Sequence, residues 1–335
     1  MRKHHLLAAV AVGGLVSAGA ASAATTITLV HGSPAKHVIT KEFVEPWMAC
    51  VKKEAGDQVN FKYFPSGQLA KLKELLPAMQ KGVADVTPVP VGYFSDKLPL
   101  NGVSMLPGLG GSSEDIVTAY AKAIKSSDAL SKEYQANGIV PISVMAFPPY
   151  QIVSTSKMIK SPEEFQGKVI RSAGGAMDLV IKSLGGSPAA ISIGDTYVAL
   201  QRGTADGTIS ALASVDGYKL QELAKAISTN GSFGTFVNVM SVRQDKWNEM
   251  DDGLKKVFLD CGAKIQLQSA QNLDNAGGGL AKKFAGAGVE MFTFTPEQLQ
   301  QMSGKLGAVH QDWVNRLKGR GLPADTVLEV YKGSF

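Results

Sequence analysis

Hydrophobic positions follow two alternating spacings in the first part of the chain. Thr25 to Val30 alternates polar and apolar residues, which predicts a strand, and Val59 to Phe64 predicts a second one. Between these strands, Phe43, Trp47 and Val51 recur at helical spacing. Strands that alternate with helices of this length predict an α/β fold.

The alternation of strands and helices returns in the second part of the chain. Val140 to Met145 and Lys168 to Arg171 predict strands, and the apolar positions between Met177 and Leu184 predict a helix. A long helical region runs from about Asp252 to Phe284, and three consecutive glycines, Gly277 to Gly279, are expected to interrupt it. Because no low-complexity linker divides the chain, the connections between its two halves are expected to be short strands that act as hinges.

Two octapeptides, one in each half of the chain, are nearly identical. Ala78 to Asp85 reads AMQKGVAD, and Ala199 to Asp206 reads ALQRGTAD. Each predicts the end of a helix, a glycine in the left-handed position after it, and a segment leading into a strand. The repeat favours two βα lobes built on one plan.

The first 23 residues have the features of an export signal. Arg2 and Lys3 form a positively charged start, Leu6 to Val16 is apolar, and Ala21-Ser22-Ala23 matches a cleavage site. The apolar stretch is shorter than the ~20 residues that a membrane span needs. We therefore expect a soluble, exported mature protein that starts near Ala24.

Composition narrows the class of protein further. With 335 residues, of which 44% are hydrophobic, the chain can form two cores. The net charge of +5 falls to +3 without Arg2 and Lys3, and the chain has no basic block. This small surplus argues against nucleic acid as the main partner.

The cysteine count leaves two interpretations open. Cys50 and Cys261 are the only cysteines, and an oxidising compartment would allow them to form one disulfide. Each also lies in an apolar helical pattern, where a buried free thiol is common. Neither cysteine has the surroundings of a catalytic nucleophile.

Motifs for catalysis and for cofactors are missing from the sequence. It contains no Gly-x-Ser-x-Gly, no Gly-x-Gly-x-x-Gly, no phosphate-binding loop and no His-Glu-x-x-His. His31 and His37 lie six residues apart in a loop rich in Gly and Pro, where hydrogen bonding within the loop or solvent contact is favoured over metal binding. We expect no enzyme activity, no cofactor and no metal, although a dispersed catalytic site stays open.

Three segments together resemble one protein family. Phe64-Pro65-Ser66-Gly67-Gln68-Leu69, Gly167-Lys168-Val169-Ile170-Arg171 and the stretch from Asp195 to Asp206 are similar to the substrate-binding proteins of TRAP transporters, of the DctP type. The similarity covers essentially the whole mature chain, with the motifs in the family's order.

The resemblance implies a two-lobed periplasmic binding protein with α/β lobes joined by hinge strands and a long helix. On this plan the first lobe comprises residues 24–148 plus about 237–275, and the second comprises 149–236 plus about 276–335. The chain would be a periplasmic monomer that binds a small carboxylate in the cleft and docks on a small and a large membrane subunit.

Arg171 is the first candidate for the ligand site. The resemblance implies that the arginine ending the Gly-Lys-x-x-Arg strand grips the ligand carboxylate. A guanidinium suits this role because its planar fork of donors matches a carboxylate and stays protonated.

Other positions depart from the family's pattern. Ser210 stands where many members carry an asparagine that helps to hold the carboxylate. Gln151 replaces a second arginine of the sugar-acid binders, and Ile193 replaces an aromatic residue. These changes remove charge, so a second carboxylate would lack a cationic partner. The expected ligand is therefore a monocarboxylate with a moderately apolar body.

Aromatic residues are the expected contacts for that body. Core packing is the alternative for each of them, and for Phe233 the two interpretations are equal. Asp206 is expected to pair with Arg171 or Arg202 as a structural support. The aromatic candidates are Phe147, Tyr150, Tyr197, Phe233 and Tyr93.

Two other functions remain open at this point. A secreted enzyme acting on a small acid would need a paired nucleophile and base, which the sequence does not display. A binding protein for an ATP-driven importer or a sensor kinase would have a similar chain, and the order of the motifs is what favours the TRAP system.

Overall fold

A computed structural model describes residues 24–335, so the predicted signal peptide lies outside the described residues. Two β-sheets form the framework. The first sheet contains β1 (Thr25–Val30), β2 (Val59–Phe64), β3 (Val86–Pro90), β4 (Ile139–Ala146) and β10 (Val237–Arg243). The second contains β5 (Gln151–Ser154), β6 (Val169–Ser172), β7 (Ser187–Ala190), β8 (Gly207–Ser210), β9 (Ala226–Ser228) and β11 (Glu290–Phe292).

Helices cover the two sheets and complete an α/β fold. They are α1 (Glu45–Ala55), α2 (Leu75–Gln80), α3 (Ser113–Ser126), α4 (Asp128–Ala136), α5 (Ala176–Ser183), α6 (Ile193–Gln201), α7 (Leu212–Gly217), α8 (Gln244–Glu249), α9 (Asp252–Gly286), α10 (Pro296–Lys318) and α11 (Ala324–Lys332). We call the first sheet with its helices the first lobe, and the second sheet with its helices the second lobe. None of the helices between residues 24 and 335 is long and apolar enough to cross a membrane.

The two sheets share one topology. The first runs in the order β2-β1-β3-β10-β4, and the second contains the corresponding order β7-β6-β8-β5-β9, with β11 added at the edge. In each sheet the first three strands are parallel and the fourth is antiparallel to the third. This confirms that the lobes are built on one plan.

The repeated octapeptides lie at equivalent places in this plan. Asp85 precedes β3, donates its N–H to the carbonyl of Thr28, and accepts the N–H of Thr28 on its carboxylate at 2.8 Å. Asp206 precedes β8, donates its N–H to the carbonyl of Val169, and accepts the N–H of Val169 on its carboxylate at 2.7 Å. In both lobes an aspartate thus fixes the register between the two central parallel strands.

Two short segments cross between the lobes side by side. Residues 147–150 connect β4 to β5, and residues 229–236 connect β9 to β10. Phe147 donates its N–H to the carbonyl of Phe236 at 3.1 Å, and Tyr150 donates to Gly234 at 2.8 Å. The two crossings are therefore hydrogen-bonded to each other, and α9 passes beside them as a third connection.

The long helix α9 is continuous, so the expected interruption at Gly277 to Gly279 is wrong. Its 35 residues extend about 52 Å at the usual rise of about 1.5 Å per residue. Asp251 caps its start by accepting the N–H of Leu254 at 2.8 Å. The cost of three interior glycines, about 1 kcal/mol each relative to alanine, is offset by packing of α9 against β4, α3, α1 and α7.

Cys50 and Cys261 form a disulfide in the structure, which resolves the alternative that the sequence left open. The bond joins α1 to α9, with a Cα–Cα distance of 5.7 Å. Trp47 lies one turn before Cys50 and packs edge-on against Phe258 of α9 at 5.0 Å between ring centroids. The disulfide therefore reinforces an interface that is already buried.

The end of the chain returns to the first lobe. Helix α10 packs against α5 of the second lobe, but α11 packs against α3. The ring of Tyr331 lies edge-on to that of Tyr120 at 6.2 Å. The last helix thus contacts the first lobe, whereas the resemblance implied that residues from about 276 to 335 belong to the second.

Candidate functional site

A cavity lies between the lobes, where the carboxyl ends of β1 and β6 face each other beside the crossing segments. It contains about 370 Å³ of non-atom space, a volume that includes its opening to solvent. Ligand sites of α/β proteins commonly occupy the carboxyl ends of strands. The lining residues are Ser33, His37, Ile39, Leu72, Pro90, Tyr93, Phe147, Tyr150, Arg171, Ala173, Ile193, Ser214, Tyr218, Phe236 and Asn238.

Arg171 is held in the cavity wall by two hydrogen bonds. It lies near the end of β6, where its Nε donates to the carbonyl of Ile191 at 2.8 Å. Its Nη2 donates to the hydroxyl of Tyr93 at 3.0 Å, across to the first lobe. A guanidinium has five N–H donors, so three remain for a further partner.

The charge of Arg171 has no anionic partner among residues 24–335. The side chain is 2% exposed, and no carboxylate of the described chain lies within salt-bridge distance of it. A buried, uncompensated cation is costly, and an anion that enters the cavity would relieve this cost. The site is therefore electrostatically prepared for a negatively charged group.

The rest of the wall is largely apolar and aromatic. Phe147 and Tyr150 come from the first crossing segment, and Phe236 comes from the second. Burial raises the pKa of the Tyr150 hydroxyl, and the nearby Arg171 charge opposes that rise only in part. Tyr150 therefore stays neutral, and the wall suits an uncharged body attached to one anionic group.

His37 contributes a neutral imidazole to the cavity. Burial, followed by the proximity of His31, lowers the pKa of His37 to about 3. Its Nδ1 accepts the N–H of Ile39 at 3.2 Å, so the ring proton is assigned to Nε2. The Nε2 atom is buried and has no hydrogen-bond partner in the described chain.

His31 lies beside the cavity rather than in it. Its Nδ1 accepts the N–H of Ser33 at 3.3 Å, and its Nε2 lies 2.8 Å from the hydroxyl of Tyr63. Burial lowers its pKa to about 4. Of the two roles expected for the histidines, hydrogen bonding within the loop is present. Solvent contact is absent, because both rings are buried.

Five residues proposed from the sequence come together in the cavity. Tyr93 and Ile193 are linked directly, because the N–H of Ile193 donates to the Tyr93 hydroxyl at 2.8 Å. That hydroxyl also accepts from Arg171, so it bridges two elements of the second lobe. The five are Arg171, Tyr93, Phe147, Tyr150 and Ile193.

Gln151 and Ser210 do not line the cavity. The Gln151 amide donates to the carbonyls of Pro149 and Gly231, and its oxygen accepts from Gly231 and Ser228. Both ends of the amide are therefore used in holding the crossing segments together. Ser210 pairs with Gln151 in the β5–β8 ladder, and its hydroxyl is buried without a partner outside the cavity wall.

Tyr197 and Phe233 also lie elsewhere. The Tyr197 hydroxyl donates to Glu222 at 3.0 Å in an exposed position on the outside of the second lobe. Phe233 is buried against Phe294, with ring centroids 6.1 Å apart, and lines a groove beside α10. Of the two interpretations of Phe233, the structure therefore places it in core packing.

Asp206 forms no ion pair with Arg171 or Arg202. Its carboxylate accepts the N–H of Val169 instead, as described for the strand register. Its structural role is thus to fix the backbone of β6, two residues before Arg171. The support that it gives to Arg171 acts through the strand rather than through a contact between charges.

Most of the polar residues of the cavity are not marked by any pattern in the sequence. Ser33 and His37 lie in the loop after β1, and Tyr218 directly follows α7. These three positions have no common sequence motif, because the two lobes bring them together only in three dimensions. Asn238 did leave a signal, since it is a polar residue within the apolar strand from Val237 to Val242.

No group of three or more His, Cys, Asp or Glu side chains is arranged to hold a metal ion within residues 24–335.

The fold and the cavity define a two-lobed solute-binding protein. Residues 29–316 match the DctP family, described as bacterial extracellular solute-binding protein, family 7, and the chain belongs to that family. The resemblance stated from the sequence is therefore confirmed.

Individual relatives are distant in sequence. A solute-binding protein of Albidiferax ferrireducens is 24% identical over 225 residues, covering 67% of this chain and 66% of that protein. The C4-dicarboxylate-binding periplasmic protein DctP of Rhodobacter capsulatus is 24% identical over 290 residues, covering 82% of each chain. The chain spans 66%, 39% and 48% of the lengths of three of the curated relatives that it matches.

A solved structure confirms the fold. A marine metagenome TRAP solute binding protein specific for aromatic acid ligands, in complex with 3-hydroxybenzoate, superposes with a TM-score of 0.86. The two proteins are 22% identical, and the alignment covers 93% of this chain and 98% of that chain. The two-lobed α/β architecture predicted from the sequence is thus the architecture of TRAP solute-binding proteins.

Proposed function

We propose that this chain is an exported solute-binding protein that captures a small monocarboxylate between its lobes and delivers it to a TRAP permease. The observation that carries the proposal is the buried guanidinium of Arg171, which faces the cavity without a carboxylate partner in the described chain. A ligand carboxylate would supply the missing charge and accept the remaining N–H donors. A single cation in the wall fits a single anionic group on the ligand.

Capture requires closure of the lobes but no covalent chemistry. The carboxylate first meets Arg171 on the second lobe, and residues of the first lobe then complete the wall. Closure removes water and strengthens the ion pair, because the surroundings become less polar. The ligand shifts the equilibrium towards the closed form only as far as it binds that form more tightly.

The cellular context of the proposal comes from the sequence and the relatives. The first 23 residues have the pattern of an export signal, with cleavage expected near Ala23, and the relative from Rhodobacter capsulatus is a periplasmic protein. The mature chain would work in the periplasm as a monomer. Its partners would be the small and large membrane subunits of the permease.

Binding to a panel of small acids tests the proposal. The purified mature protein is titrated with aromatic, aliphatic, hydroxy-, oxo- and dicarboxylic acids, with the matching amides as uncharged controls. A ligand present at about 100 times its Kd adds about 2.7 kcal/mol to the free energy of unfolding. We expect such a gain for at least one monocarboxylate and no gain for its amide.

Two variants show whether Arg171 is responsible. Arg171→Ala should abolish binding, whereas Arg202→Ala, which removes an exposed arginine of the same lobe, should leave it unchanged. Binding that survives Arg171→Ala, or that is equal for acid and amide, would contradict the carboxylate site. Uptake of the same acid by vesicles carrying both membrane subunits, dependent on this protein, then tests delivery.

A further inference from the structure

The cavity holds a second group of polar atoms whose partners are missing from the described chain. Ser33 Oγ, His37 Nε2, Tyr218 Oη and Asn238 Nδ2 are all buried, and none of them makes a hydrogen bond of good geometry within residues 24–335, although the hydroxyls of Ser33 and Tyr218 are close enough to interact with each other. All four residues line the same cavity as Arg171. We call these four residues the polar subsite.

Buried polar atoms without partners are uncommon in folded proteins, and each costs free energy. Four of them in one small cavity form a concentration that apolar packing does not explain. Ser33, His37 and Asn238 are each 1% exposed, so solvent around the protein does not satisfy them directly. A ligand group inside the cavity would.

The chemistry of the polar subsite defines the group that it can hold. His37 is a neutral donor at Nε2, because its pKa is lowered to about 3 and its Nδ1 accepts from Ile39. Asn238 adds an amide, and the two hydroxyls of Ser33 and Tyr218 can each donate or accept. Together they can donate to a ligand oxygen and accept a hydrogen from it.

A second carboxylate does not fit the polar subsite. Within the described residues, Arg171 is the only arginine that lines the cavity, and no lysine lines it. Lys73 Nζ lies 5.7 Å from the ring centroid of Tyr93, but it is exposed and donates to the carbonyl of Ala190. The His37 ring resists protonation because it is buried. A second anion would therefore be buried without a counter-charge, which is far more costly than burying a neutral hydroxyl.

The placement of the polar subsite also links recognition to closure. Ser33, His37 and Asn238 belong to the first lobe, whereas Arg171 belongs to the second. A ligand that carries both groups contacts both lobes and so favours their approach. A ligand that carries the carboxylate alone lacks these first-lobe hydrogen bonds.

We infer that the ligand is a small monocarboxylate bearing a neutral hydroxyl or oxo group, with the carboxylate on Arg171 and the neutral group in the polar subsite. The inference rests on the proposed function and narrows its substrate class. A site built to hydrogen-bond a substrate hydroxyl rejects the analogue without it strongly, because its own polar groups are then left unpaired.

Isothermal titration with matched pairs of acids tests the inference. The pairs are each hydroxybenzoate with benzoate, each hydroxyphenylacetate and mandelate with phenylacetate, and 3-oxobutanoate with butanoate. At least one substituted acid should bind at least about tenfold more tightly than its parent. Isophthalate, which places a second carboxylate where 3-hydroxybenzoate has its hydroxyl, should bind at least about tenfold more weakly than 3-hydroxybenzoate.

A hydroxyl-deletion variant assigns the preference to the polar subsite. Ser33→Ala with Tyr218→Phe removes two oxygens and little volume, and should reduce the preference for the substituted acid at least fivefold. Tyr331→Phe is the matched control, because Tyr331 has a buried hydroxyl without a partner outside the cavity. That variant should keep the preference.

The results separate the inference from the proposed function. Suppose that substituted and parent acids bind equally and that binding of both is lost in Arg171→Ala. In that case the polar subsite does not discriminate between ligands and the inference is overturned, while the carboxylate site is supported. A preference that persists in the double variant, or that Tyr331→Phe also removes, overturns it as well. If no acid in the panel binds, or binding is independent of Arg171, the proposed function and the inference both fail.

Discussion

Arg171 donates from Nη2 to the hydroxyl of Tyr93 at 3.0 Å, and this hydrogen bond joins the two lobes across the cavity. The same hydroxyl accepts the backbone N–H of Ile193 at 2.8 Å. One oxygen of the first lobe thus serves as acceptor for two groups of the second. The residue that we propose to hold the ligand is therefore also part of a contact that forms only when the lobes are close.

Tyr93→Phe should weaken ligand binding because it removes this acceptor. The Arg171 and Ile193 donors lose their partner in the first lobe, so the closed form is less stable. We expect Kd to rise about tenfold, since a lost hydrogen bond to a charged group costs about 1.5 kcal/mol or more. Calorimetry measures the affinity. X-ray scattering without ligand should give a larger radius of gyration for Tyr93→Phe than for the unsubstituted protein, because the open form is more populated.

Tyr63→Phe is the control for this prediction. The Tyr63 hydroxyl lies 2.8 Å from His31 within the first lobe, so its loss should not alter the relation between the lobes. An unchanged affinity in Tyr93→Phe would mean that Tyr93 does not support closure. A tighter affinity would mean that Tyr93 competes with the ligand for Arg171.

Asp85 and Asp206 make the same backbone contacts but should differ in their sensitivity to substitution. An asparagine keeps an oxygen for the N–H of the neighbouring strand, so Asp206→Asn should cost less than about 1 kcal/mol. Asp85 also pairs with Arg243 at 2.8 Å in a largely buried position. We expect Asp85→Asn to cost at least about 1 kcal/mol more than Asp206→Asn. Urea unfolding compares the two variants, and equal losses would contradict the role of the ion pair.

Local patterns predicted the framework of the protein well. The octapeptide repeat identified two lobes on one plan, because a helix end, a left-handed glycine and a strand start depend on neighbouring residues. The family resemblance supplied Arg171 as a ligand candidate. These features are determined over short stretches of chain, so a single sequence displays them.

Contacts between distant segments were harder to predict. Gln151 was proposed as a ligand contact, but its side-chain amide is hydrogen-bonded to Gly231, 80 residues away. The amide nitrogen donates to the Gly231 carbonyl, and the amide oxygen accepts the Gly231 N–H. Tyr197 lies on a helix with apolar residues on several faces, so the spacing did not show which face meets the cavity. His37 and Tyr218 come from opposite lobes with ring centroids 5.0 Å apart, a proximity that no pattern along the chain encodes.

Removal of the disulfide should destabilise the protein without changing its ligand affinity. The bond connects residues 211 positions apart, and the loss of so long a closed loop costs about 3–5 kcal/mol. Both cysteines lie where α1 and α9 pack together in the first lobe, and neither lines the cavity. Cys50→Ala with Cys261→Ala should lower the urea midpoint and leave Kd within about twofold. A large change in Kd would show that α9 transmits strain to the site.

Acidification should destabilise the ligand-free protein through its buried histidines. The pKa values of His31 and His37 are lowered to about 4 and about 3, from 6.5 in the unfolded chain. Between these values the unfolded state binds more protons, so the free energy of unfolding falls as the pH falls below about 6.5. The slope is about 1.4 kcal/mol per pH unit for each histidine.

Unfolding titrations between pH 7.5 and 5 check this dependence, in a range where few carboxylates titrate. His37→Gln should reduce the slope of the free energy of unfolding against pH by the contribution of one histidine, about 1.4 kcal/mol per pH unit. A slope that stays the same in His37→Gln would mean that the pKa of His37 is close to its ordinary value.

The glycines in the middle of α9 give the final prediction. Gly278 and Gly279 are exposed, and a Cβ added at either position meets nothing within 4 Å. Alanine there should stabilise the helix by about 0.8–1.0 kcal/mol per site, because it restricts the unfolded chain and favours helical backbone. Gly262→Ala in the same helix is the opposite control, since its Cβ would lie 2.3 Å from the carbonyl oxygen of Ile142. Urea unfolding should therefore show a gain for Gly278→Ala with Gly279→Ala and a loss for Gly262→Ala. If the double variant were instead destabilised, the glycines would be needed for a backbone conformation other than that of a continuous helix.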